Sequence, residues 1–269
     1  MSREINYDLY LQRIGITTKL KPSLESLMQL QKQHMLHIPF ENIDIYHGVP
    51  VTLDPAALYD KIVLRSRGGY CYECNGLFHL LLQWMGFDSR MISCRVVTGK
   101  KIGEAFDHMA LIVLIEGQEW LVDVGFGHFS AVPLLLEHDL VQYDGYASYR
   151  IQPYELPGDK NYLGASRLKS NRNEWTTVYI FTREGHPLEA FYEMNIYQQT
   201  SPDSHFTKNL ICSQLTDTGR LSLVNNRLIT TDGTEKEDRL VYGSAALNEV
   251  LNDTFSIFNA VPQKREIQE

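Results

Sequence analysis

An α+β fold is predicted for this chain of 269 residues, because helical signals fill its first third and strand-like signals fill its middle. Up to about Gly86, apolar residues recur at helical spacing behind residues that cap helices. From Met91 to about Phe181, the apolar residues instead form short runs that are typical of strands. Helices and strands that are segregated along the chain favour an α+β fold over a regular alternation of strand and helix.

The helices of the first part are predicted from their start and stop signals. Ser23 is a good N-cap for a helix whose apolar positions share one face. Asp54-Pro55 combines an N-cap with a proline at the first helical position. A further helix is expected to follow Cys71 and to end at Met85-Gly86, where glycine suits a C-terminal cap.

The middle part is predicted to hold short strands, and the last part is predicted to hold two helices with short strands between them. The strands of the middle part are expected at residues 92–97, 109–115, 120–124 and 175–181. The second and third of these are joined by Glu116-Gly117-Gln118-Glu119, a good hairpin turn. A helix at 189–197, strands at 221–224 and 227–231 and a last helix from Ser244 follow. The polar segment from Lys264 onward is expected to fray.

Composition favours a soluble cytoplasmic enzyme of one large domain or two to three smaller ones. The net charge of −8 argues against a nucleic-acid partner, since such binding depends on a basic face. No apolar run approaches the roughly 20 residues of a membrane span, and residues 1–6 lack the apolar region of a signal peptide. Cysteines at 71, 74, 94 and 212 form no disulfide framework and fit a reducing compartment.

Cys71, His108 and Asp123 together predict a thiol-dependent acyl-transfer or hydrolysis site. A glycine pair precedes Cys71 at the start of a predicted helix, where backbone amides and the helix dipole favour a thiolate. The predicted hairpin would bring His108 and Asp123 side by side. A thiolate needs an imidazolium nearby, and that imidazole needs a carboxylate that fixes its tautomer. Taken singly, each residue is also an ordinary structural one: a buried hydrophobe, a strand-end histidine and a turn aspartate.

The segment RGGYCYECN at residues 67–75 resembles the signature of the arylamine N-acetyltransferases. Further segments resemble the same family in the same order: residues 7–15 its opening helix, residues 37–44 its Pro-Phe-Glu-Asn box, residues 107–114 and 122–127 its His and Asp segments, and residues 197–202 the start of its third domain. The resemblance covers nearly the whole chain, and several ordered matches are more specific than a single motif.

The resemblance implies a three-part fold with the Cys-His-Asp arrangement of the cysteine proteases. A helical bundle over residues 1–87 would carry the nucleophilic cysteine, and a β-barrel over 88–190 would carry the histidine and the aspartate. An α/β lid over 191–269 would complete the chain. The active site would then lie where the bundle meets the barrel, and the bundle–barrel boundary coincides with the change from helical to strand-like patterning.

The resemblance also implies ping-pong chemistry of a kind used in xenobiotic metabolism. Cys71 would take the acetyl group of acetyl-coenzyme A as a thioester. An arylamine, hydrazine or N-hydroxyarylamine would then accept it, with His108 moving the proton and Asp123 orienting His108. Acetyl-coenzyme A is thus expected as co-substrate and a small amine as acceptor, with no metal and with no nucleic-acid or membrane partner.

Five neighbours are expected to complete the site. Phe40, Tyr70 and Phe126 are candidate walls for an aromatic acceptor, although each could equally be core. Arg67 and Glu41 belong to two motifs that the family fold brings together, and a partly buried ion pair between them is expected. The alternative is two separate solvated charges.

The coenzyme contacts are expected from the resemblance alone. They are Gly125, Phe126 and Gly127 near the pantetheine arm and Tyr197, Thr200, Ser201 and Asp203 near the adenine. The phosphates need positive charge, for which Lys100, Lys101 and Lys208 are the candidates. Lysines on loops are otherwise simply exposed.

Cys74 departs from the family signature, because it creates a Cys-x-x-Cys pair with Cys71. Such a pair is also typical of redox and zinc sites, but a zinc site needs more ligands at close spacing. Two rival functions follow: a papain-like or transglutaminase-like thiol hydrolase, which shares the Cys-His-Asp order, and a metal-binding module without catalysis.

Overall fold

The computed structural model describes residues 4–169, 174–233 and 235–258. The expected polar tail from Lys264 and the first three residues lie outside these ranges. The N-terminal part holds the helices α1 (Tyr7–Arg13), α2 (Leu24–His37), α3 (Ile43–Tyr46), α4 (Pro55–Tyr59) and α5 (Cys71–Trp84), with the short strand β1 (Phe40–Glu41) between α2 and α3. Within the described ranges, no helix is both long and apolar enough to span a membrane.

The predicted helix starts are confirmed by their capping hydrogen bonds. Ser23 Oγ accepts from the backbone amide of Ser26, which opens α2. Asp54 Oδ1 accepts from the amide of Ala57 at the start of α4. Side-chain acceptors of this kind satisfy amides that have no partner within their own helix.

A π-helical turn extends α4 beyond its regular α-helical turns, and the sequence pattern did not predict this extension. This turn covers Asp60–Leu64, and in it the amide of Arg65 donates to the carbonyl of Asp60 at 2.9 Å. Isolated π turns are frequent at functional sites. This one carries Lys61, whose side chain is almost completely buried.

A nearly closed antiparallel β-barrel follows the helices. Its strands are β2 (Asp88–Thr98), β3 (Lys101–Ile102), β4 (His108–Ile115), β5 (Gln118–Val122), β6 (Leu134–Leu135), β7 (Gln142–Tyr143), β8 (Ser148–Leu156), β9 (Asp159–Lys169) and β10 (Glu174–His186). The order is β6-β5-β4-β2-β10-β9-β8-β7, with β3 paired to β2. Beyond β6, His138 bridges to Ile151 of β8, which brings the two ends of the sheet together.

Strand β4 is the wall that the helices and the barrel share. Met109, Leu111 and Val113 belong to the core of the helical part, whereas Ala110 and Ile112 belong to the core inside the barrel. This alternation follows from the two-residue period of a strand. A strand that is buried on both faces can hold one end of an active site against a helix.

The C-terminal part forms a second sheet that also contains a strand from the N-terminal part. A 3₁₀ turn (Leu188–Phe191) leads into α6 (Tyr192–Thr200), α7 (His205–Lys208), β11 (Ile211–Leu215), β12 (Gly219–Val224), β13 (Arg227–Asp232), β14 (Glu235–Leu240) and α8 (Ser244–Phe255). The sheet order is β1-β11-β12-β13-β14, so Phe40–Glu41 pairs across the boundary between the expected units. Ile43, Leu223 and Leu251 lie in its core.

Candidate active site

The predicted hairpin brings His108 and Asp123 together. Its turn, Glu116-Gly117, has positive φ at both residues (51° and 79°), as two-residue hairpin turns often require. Leu111 pairs with Val122, so Asp123 lies diagonally across from His108 on the same face. Nε2 of His108 is 2.7 Å from Oδ2 of Asp123, and both side chains are buried.

Asn75 of α5 holds the Asp123 loop in place. Its Nδ2 donates to Oδ1 of Asp123 at 3.0 Å and to the carbonyl of Met109 at 2.7 Å. Its Oδ1 accepts from the amide of Val124 at 3.0 Å, while the amide of Gly125 donates to Asp123 Oδ1 at 2.9 Å. Asn75 is the last residue of the RGGYCYECN motif, and the sequence alone predicted no role for it. An asparagine within an apolar helix does, however, indicate a buried polar contact.

Cys71 is the first residue of α5 and lies directly beneath the loop that follows Asp123. A Cβ atom on Gly125 would lie 2.9 Å from both Cα and the carbonyl oxygen of Cys71. Real side chains do not tolerate such contacts, so only glycine fits at position 125. The close approach of this loop leaves Cys71 almost entirely buried.

Burial raises the pKa of the Cys71 thiol well above its ordinary value. A hydrogen bond from the backbone amide of Met109 lowers this pKa, whereas the negative charge of Asp123 raises it further. The sequence predicted that backbone amides at the helix terminus and the imidazolium of His108 would together favour the thiolate. In the folded protein, burial outweighs the contacts with backbone amides, so the pKa of the thiol lies above its ordinary value.

The two glycines before Tyr70 are needed for close packing. A Cβ atom on Gly68 would lie 2.0 Å from the carbonyl oxygen of Pro39, and one on Gly69 would lie 2.7 Å from Cβ of Glu73. The amide of Glu41 donates to the carbonyl of Gly69 at 3.0 Å. The glycine pair therefore lets the cysteine segment pack against the Pro-Phe-Glu-Asn box.

Arg67 and Glu41 form a buried ion pair, as the sequence analysis expected. Nη2 of Arg67 lies 2.7 Å from Oε1 of Glu41 and 3.0 Å from Oδ1 of Asp44. Lys61 and Glu73 extend this pair into a five-membered cluster. The burial of Lys61 was not predicted, because nothing in the local sequence distinguishes a buried lysine in a helical segment from an exposed one.

The three candidate pocket walls lie in different surroundings. The ring of Phe126 meets the imidazole of His108 edge-on, with ring centres 5.1 Å apart. Phe40 is mostly buried at 8 % exposure, whereas Tyr70 is fully buried and its hydroxyl donates to Asn195. Tyr70 is therefore a core residue, and of the three Phe126 is the one in contact with His108.

The residues expected to bind coenzyme lie in two segments, residues 125–127 after Asp123 and residues 197–203. Gly127 has a φ of +84°, and a Cβ atom there would lie 3.2 Å from the Phe40 ring. Tyr197, at the end of α6, is 45 % exposed, and the Thr200 hydroxyl donates to the carbonyl of Ile196 at 2.7 Å. Ser201 Oγ accepts from the amide of Asp203 at 3.1 Å. These coenzyme contacts stay predictions.

The candidate phosphate-binding lysines are exposed. Lys100 and Lys101 lie at the turn between β2 and β3, and Lys208 lies 3.9 Å from Asp203 across an exposed ion pair. Exposed pairs of this length contribute little to stability. All three ammonium groups are therefore accessible to a phosphate.

A strained residue precedes His108. Phe106 has a φ of +65°, which is a rare conformation for a bulky side chain. Its carbonyl accepts from the hydroxyl of Tyr72 at 2.7 Å, and the carboxylate of the neighbouring Asp107 accepts from Gln198 Nε2 at 2.8 Å. The cysteine helix and the C-terminal part thus both hold the loop that leads into His108.

Cys74 is a packing residue in this structure. Its side chain is fully buried, and its thiol lies 3.1 Å from the carbonyl oxygen of Gly69 as a donor. All four cysteines are free thiols. Among residues 4–169, 174–233 and 235–258, no group of three or more His, Cys, Asp or Glu side chains is arranged to hold a metal ion.

Comparisons with known proteins identify the family of this chain. The family model described as N-acetyltransferase matches residues 23–261. The arylamine N-acetyltransferase of Mycolicibacterium smegmatis is 35% identical, with 90% of this chain and 89% of the relative covered. The solved Mycobacterium marinum arylamine N-acetyltransferase superposes with a TM-score of 0.87 at 33% identity, covering 94% of this chain and 93% of that one. Its complex with CoA superposes with a TM-score of 0.85 at 32% identity, with the same coverage of the two chains. The chain belongs to the arylamine N-acetyltransferase family.

Proposed function

We propose that this protein transfers the acetyl group of acetyl-coenzyme A to arylamines through a thioester on Cys71. The observation that carries the proposal is the buried His108–Asp123 contact beside a cysteine at a helix N-terminus. Membership of the family supports the substrate class, since the relatives are named for arylamine acetylation and one solved relative is described in complex with CoA.

In the first half-reaction, Cys71 is the nucleophile and His108 is the base. Asp123 engages Nε2 of His108, which leaves Nδ1 to take the thiol proton. The thiolate attacks the thioester carbonyl, and the carbon–sulfur bond to coenzyme A breaks as the new bond to Cys71 forms. The leaving coenzyme thiolate takes the proton from His108, so the step ends with acetyl-Cys71 and neutral coenzyme A.

In the second half-reaction, the amine nitrogen attacks the carbonyl carbon of acetyl-Cys71, and the carbon–sulfur bond to Cys71 breaks as the new carbon–nitrogen bond forms. His108 accepts the proton that the nitrogen loses and returns it to the sulfur of Cys71. Arylamines are weak bases that are neutral near pH 7, so their lone pair is available for attack. Hydrazines and N-hydroxyarylamines are the other acceptors expected in this step.

Further roles belong to the same proposal. Phe126 would contact an aromatic acceptor beside His108, with Phe40 behind it. The Gly125–Gly127 loop and the Tyr197–Asp203 segment would contact the coenzyme. The chain would act in the cytoplasm in xenobiotic metabolism, as bundle, barrel and lid over residues 1–87, 88–190 and 191–269.

Intact-mass analysis after incubation with acetyl-coenzyme A tests the proposal. The wild-type protein should gain one acetyl group, and coenzyme A release should then rise with added arylamine. Cys71→Ser should gain none, because a serine hydroxyl has too high a pKa for His108 to ionise it. The matched variant Cys74→Ser should behave like wild type, since serine can also donate to the carbonyl of Gly69.

The alternative functions give different results in the same experiment. A thiol hydrolase would release coenzyme A at a rate that arylamine does not change. A metal module would carry stoichiometric metal, and Cys74→Ser would remove it. Either result would overturn the transferase proposal.

A further inference from the structure

Lys61 occupies an uncommon position for a lysine. Its side chain is only 6% exposed, and it lies within the π-helical turn that follows α4. A lysine is almost never buried without carboxylates that pair with it, because removing the ammonium from water costs several kcal/mol. The contacts around its ammonium group therefore indicate why it is there.

The ammonium group of Lys61 meets three carboxylates. Nζ lies 2.8 Å from Oε1 and 3.0 Å from Oε2 of Glu73. It also lies 2.9 Å from Oδ2 of Asp44 and 3.9 Å from Oε1 of Glu41. Both carboxylate oxygens of Glu73 contact this one ammonium group, so Lys61 is the principal cationic partner of Glu73.

Glu73 in turn holds the start of the cysteine helix. Its Oε2 accepts from the backbone amide of Tyr70 at 3.1 Å. Tyr70 is the N-cap of α5, and Cys71 is the next residue. This contact is one half of a capping box, which fixes the first turn of a helix. Gly69 allows it, because any larger residue would collide with Glu73.

Lys61 keeps the excess negative charge of the cluster small. Three carboxylates (Glu41, Asp44 and Glu73) face two cations (Lys61 and Arg67). Without Lys61, two buried carboxylates (Glu41 and Glu73) and the partly buried Asp44 would share one guanidinium. An unpaired carboxylate in that position would take up a proton or move toward water.

The groups that face Glu73 support this conclusion. Burial raises the pKa of the Glu73 carboxyl, Lys61 opposes this effect, and the nearby Glu41 adds to it. Tyr70 supplies a backbone amide that lowers the pKa, and the buried thiol of Cys74 lies within the same field. Lys61 is therefore the charged side chain that opposes the rise in the pKa of Glu73.

We propose that Lys61 is a positioning residue for the nucleophile: it holds the Glu73 carboxylate against the Tyr70 amide and so fixes the first turn of α5, on which Cys71 lies. The proposal rests on the proposed function only in taking Cys71 as the reactive thiol. It assigns to the buried cluster a role in the first half-reaction as well as in packing.

A single variant, a rescuing double variant and a control variant test this role. Lys61→Met keeps the length of the side chain and removes the charge, and it should slow the acetylation of Cys71 by about tenfold or more, because small misplacements of a reacting group have large effects on rate. Lys61→Met combined with Glu73→Gln should recover most of that loss, since glutamine can accept from the Tyr70 amide without a charge. Arg65→Met, which removes an exposed cation from the same segment, should match wild type.

The pH dependence separates positioning from a loss of folding. The rate of Lys61→Met relative to wild type should rise as the pH falls, because protonation removes the unpaired charge of Glu73. In the double variant that ratio should be flat. Each rate is measured on protein whose thermal unfolding shows that it is folded.

Two outcomes would overturn the proposal. One is a double variant as slow as Lys61→Met, and the other is a ratio for Lys61→Met that does not change with pH. Alkylation of Cys71 by iodoacetamide, followed in parallel across the same four proteins, keeps the two proposals separable. Suppose that wild type is not acetylated, but alkylation is slow in Lys61→Met and recovers in the double variant. The proposed acetyltransferase function is then wrong, and the positioning role of Lys61 stands.

Discussion

Asp123 acts on Cys71 in two opposite ways. Its negative charge directly raises the pKa of the thiol. In the proposed mechanism, its contact with Nε2 of His108, at 2.7 Å, would stabilise the imidazolium that forms when the thiol gives its proton to His108. The first effect opposes the thiolate form of Cys71 and the second promotes it. Replacing Asp123 by a neutral residue therefore reveals which effect dominates the pKa of Cys71.

Asp123→Asn is expected to shift the alkylation of Cys71 by iodoacetamide toward higher pH. This follows if the thiolate exists as an ion pair with His108, because an amide stabilises the imidazolium poorly. If Cys71 instead ionises beside a neutral His108, loss of the negative charge should move the profile toward lower pH. The measurement is the rate of alkylation as a function of pH, with mass analysis to confirm modification at Cys71. A shift toward lower pH would contradict the ion pair.

The sequence signals revealed some residues of the site and not others. Cys71, His108 and Asp123 stand at the ends of helices or strands, and glycines lie near Cys71 and Asp123, which is a local pattern. Asn75 and Lys61 act through partners 48 and 12 residues away, and no local pattern marks such contacts. The strain at Phe106 is equally invisible, because a phenylalanine gives no hint of a positive φ.

At the level of elements, three glycines should respond differently to alanine. Gly117→Ala meets no atom within 4 Å but keeps a φ of +79°, so we expect a loss of about 1 kcal/mol from backbone strain alone. Gly76→Ala in α5 meets Leu188 at 3.5 Å, an ordinary contact, and should stabilise the helix by up to about 1 kcal/mol. Gly125→Ala should lose activity, because its Cβ would collide with Cys71.

Denaturant unfolding and the rate of Cys71 acetylation, measured on all three variants, check these expectations. Gly117→Ala should leave the rate nearly unchanged, since the hairpin turn lies at the far end of β4 and β5 from His108. An active Gly125→Ala would contradict the close approach of its loop to Cys71. A destabilised Gly76→Ala would show that the space beside α5 is tighter than the structure indicates.

Elements with strong local signals were predicted correctly, and those without them were missed. The capped helices α2 and α4 and the strands β4 and β5 follow from caps, turns and apolar runs. β14 has exposed residues throughout its sequence EKEDRL, so no apolar pattern marks it as a strand. β8 carries its signal in only two buried positions, Tyr149 and Ile151.

At the scale of the whole molecule, long-range pairing joins the parts that the sequence separates. β1 lies among helices in the chain but pairs with β11, and Asn42 beside it donates to the carbonyl of Phe206 at 2.9 Å. The sequence patterning predicted the α+β class, and the family resemblance predicted the barrel. The patterning gave no sign of this pairing, because two residues of strand are too short for any periodicity.

Two buried histidines link the stability of the whole molecule to pH. His34 is fully buried, its Nδ1 lies 2.9 Å from the Tyr10 hydroxyl, and burial lowers its pKa from 6.5 to about 3. His79 is also buried, its Nδ1 lies 3.0 Å from the Ser89 hydroxyl, and burial lowers its pKa to about 4. In each case the unfolded chain binds a proton that the folded protein resists. The stabilisation is therefore complete above about pH 6.5 and is lost progressively as the pH falls toward the folded pKa.

Replacing His34 should flatten this dependence. In wild type, His34 alone should account for a loss of about 2 kcal/mol in the free energy of unfolding between pH 7 and pH 5. His34→Gln can still accept from the Tyr10 hydroxyl but cannot take a proton, so its loss over the same interval should be smaller by about that amount. Denaturant unfolding at the two pH values measures the difference, with the exposed His138→Gln as the control that should keep the wild-type slope. An unchanged slope in His34→Gln would mean that His34 takes up its proton while the protein is folded, which its buried position beside Tyr10 and Phe78 argues against.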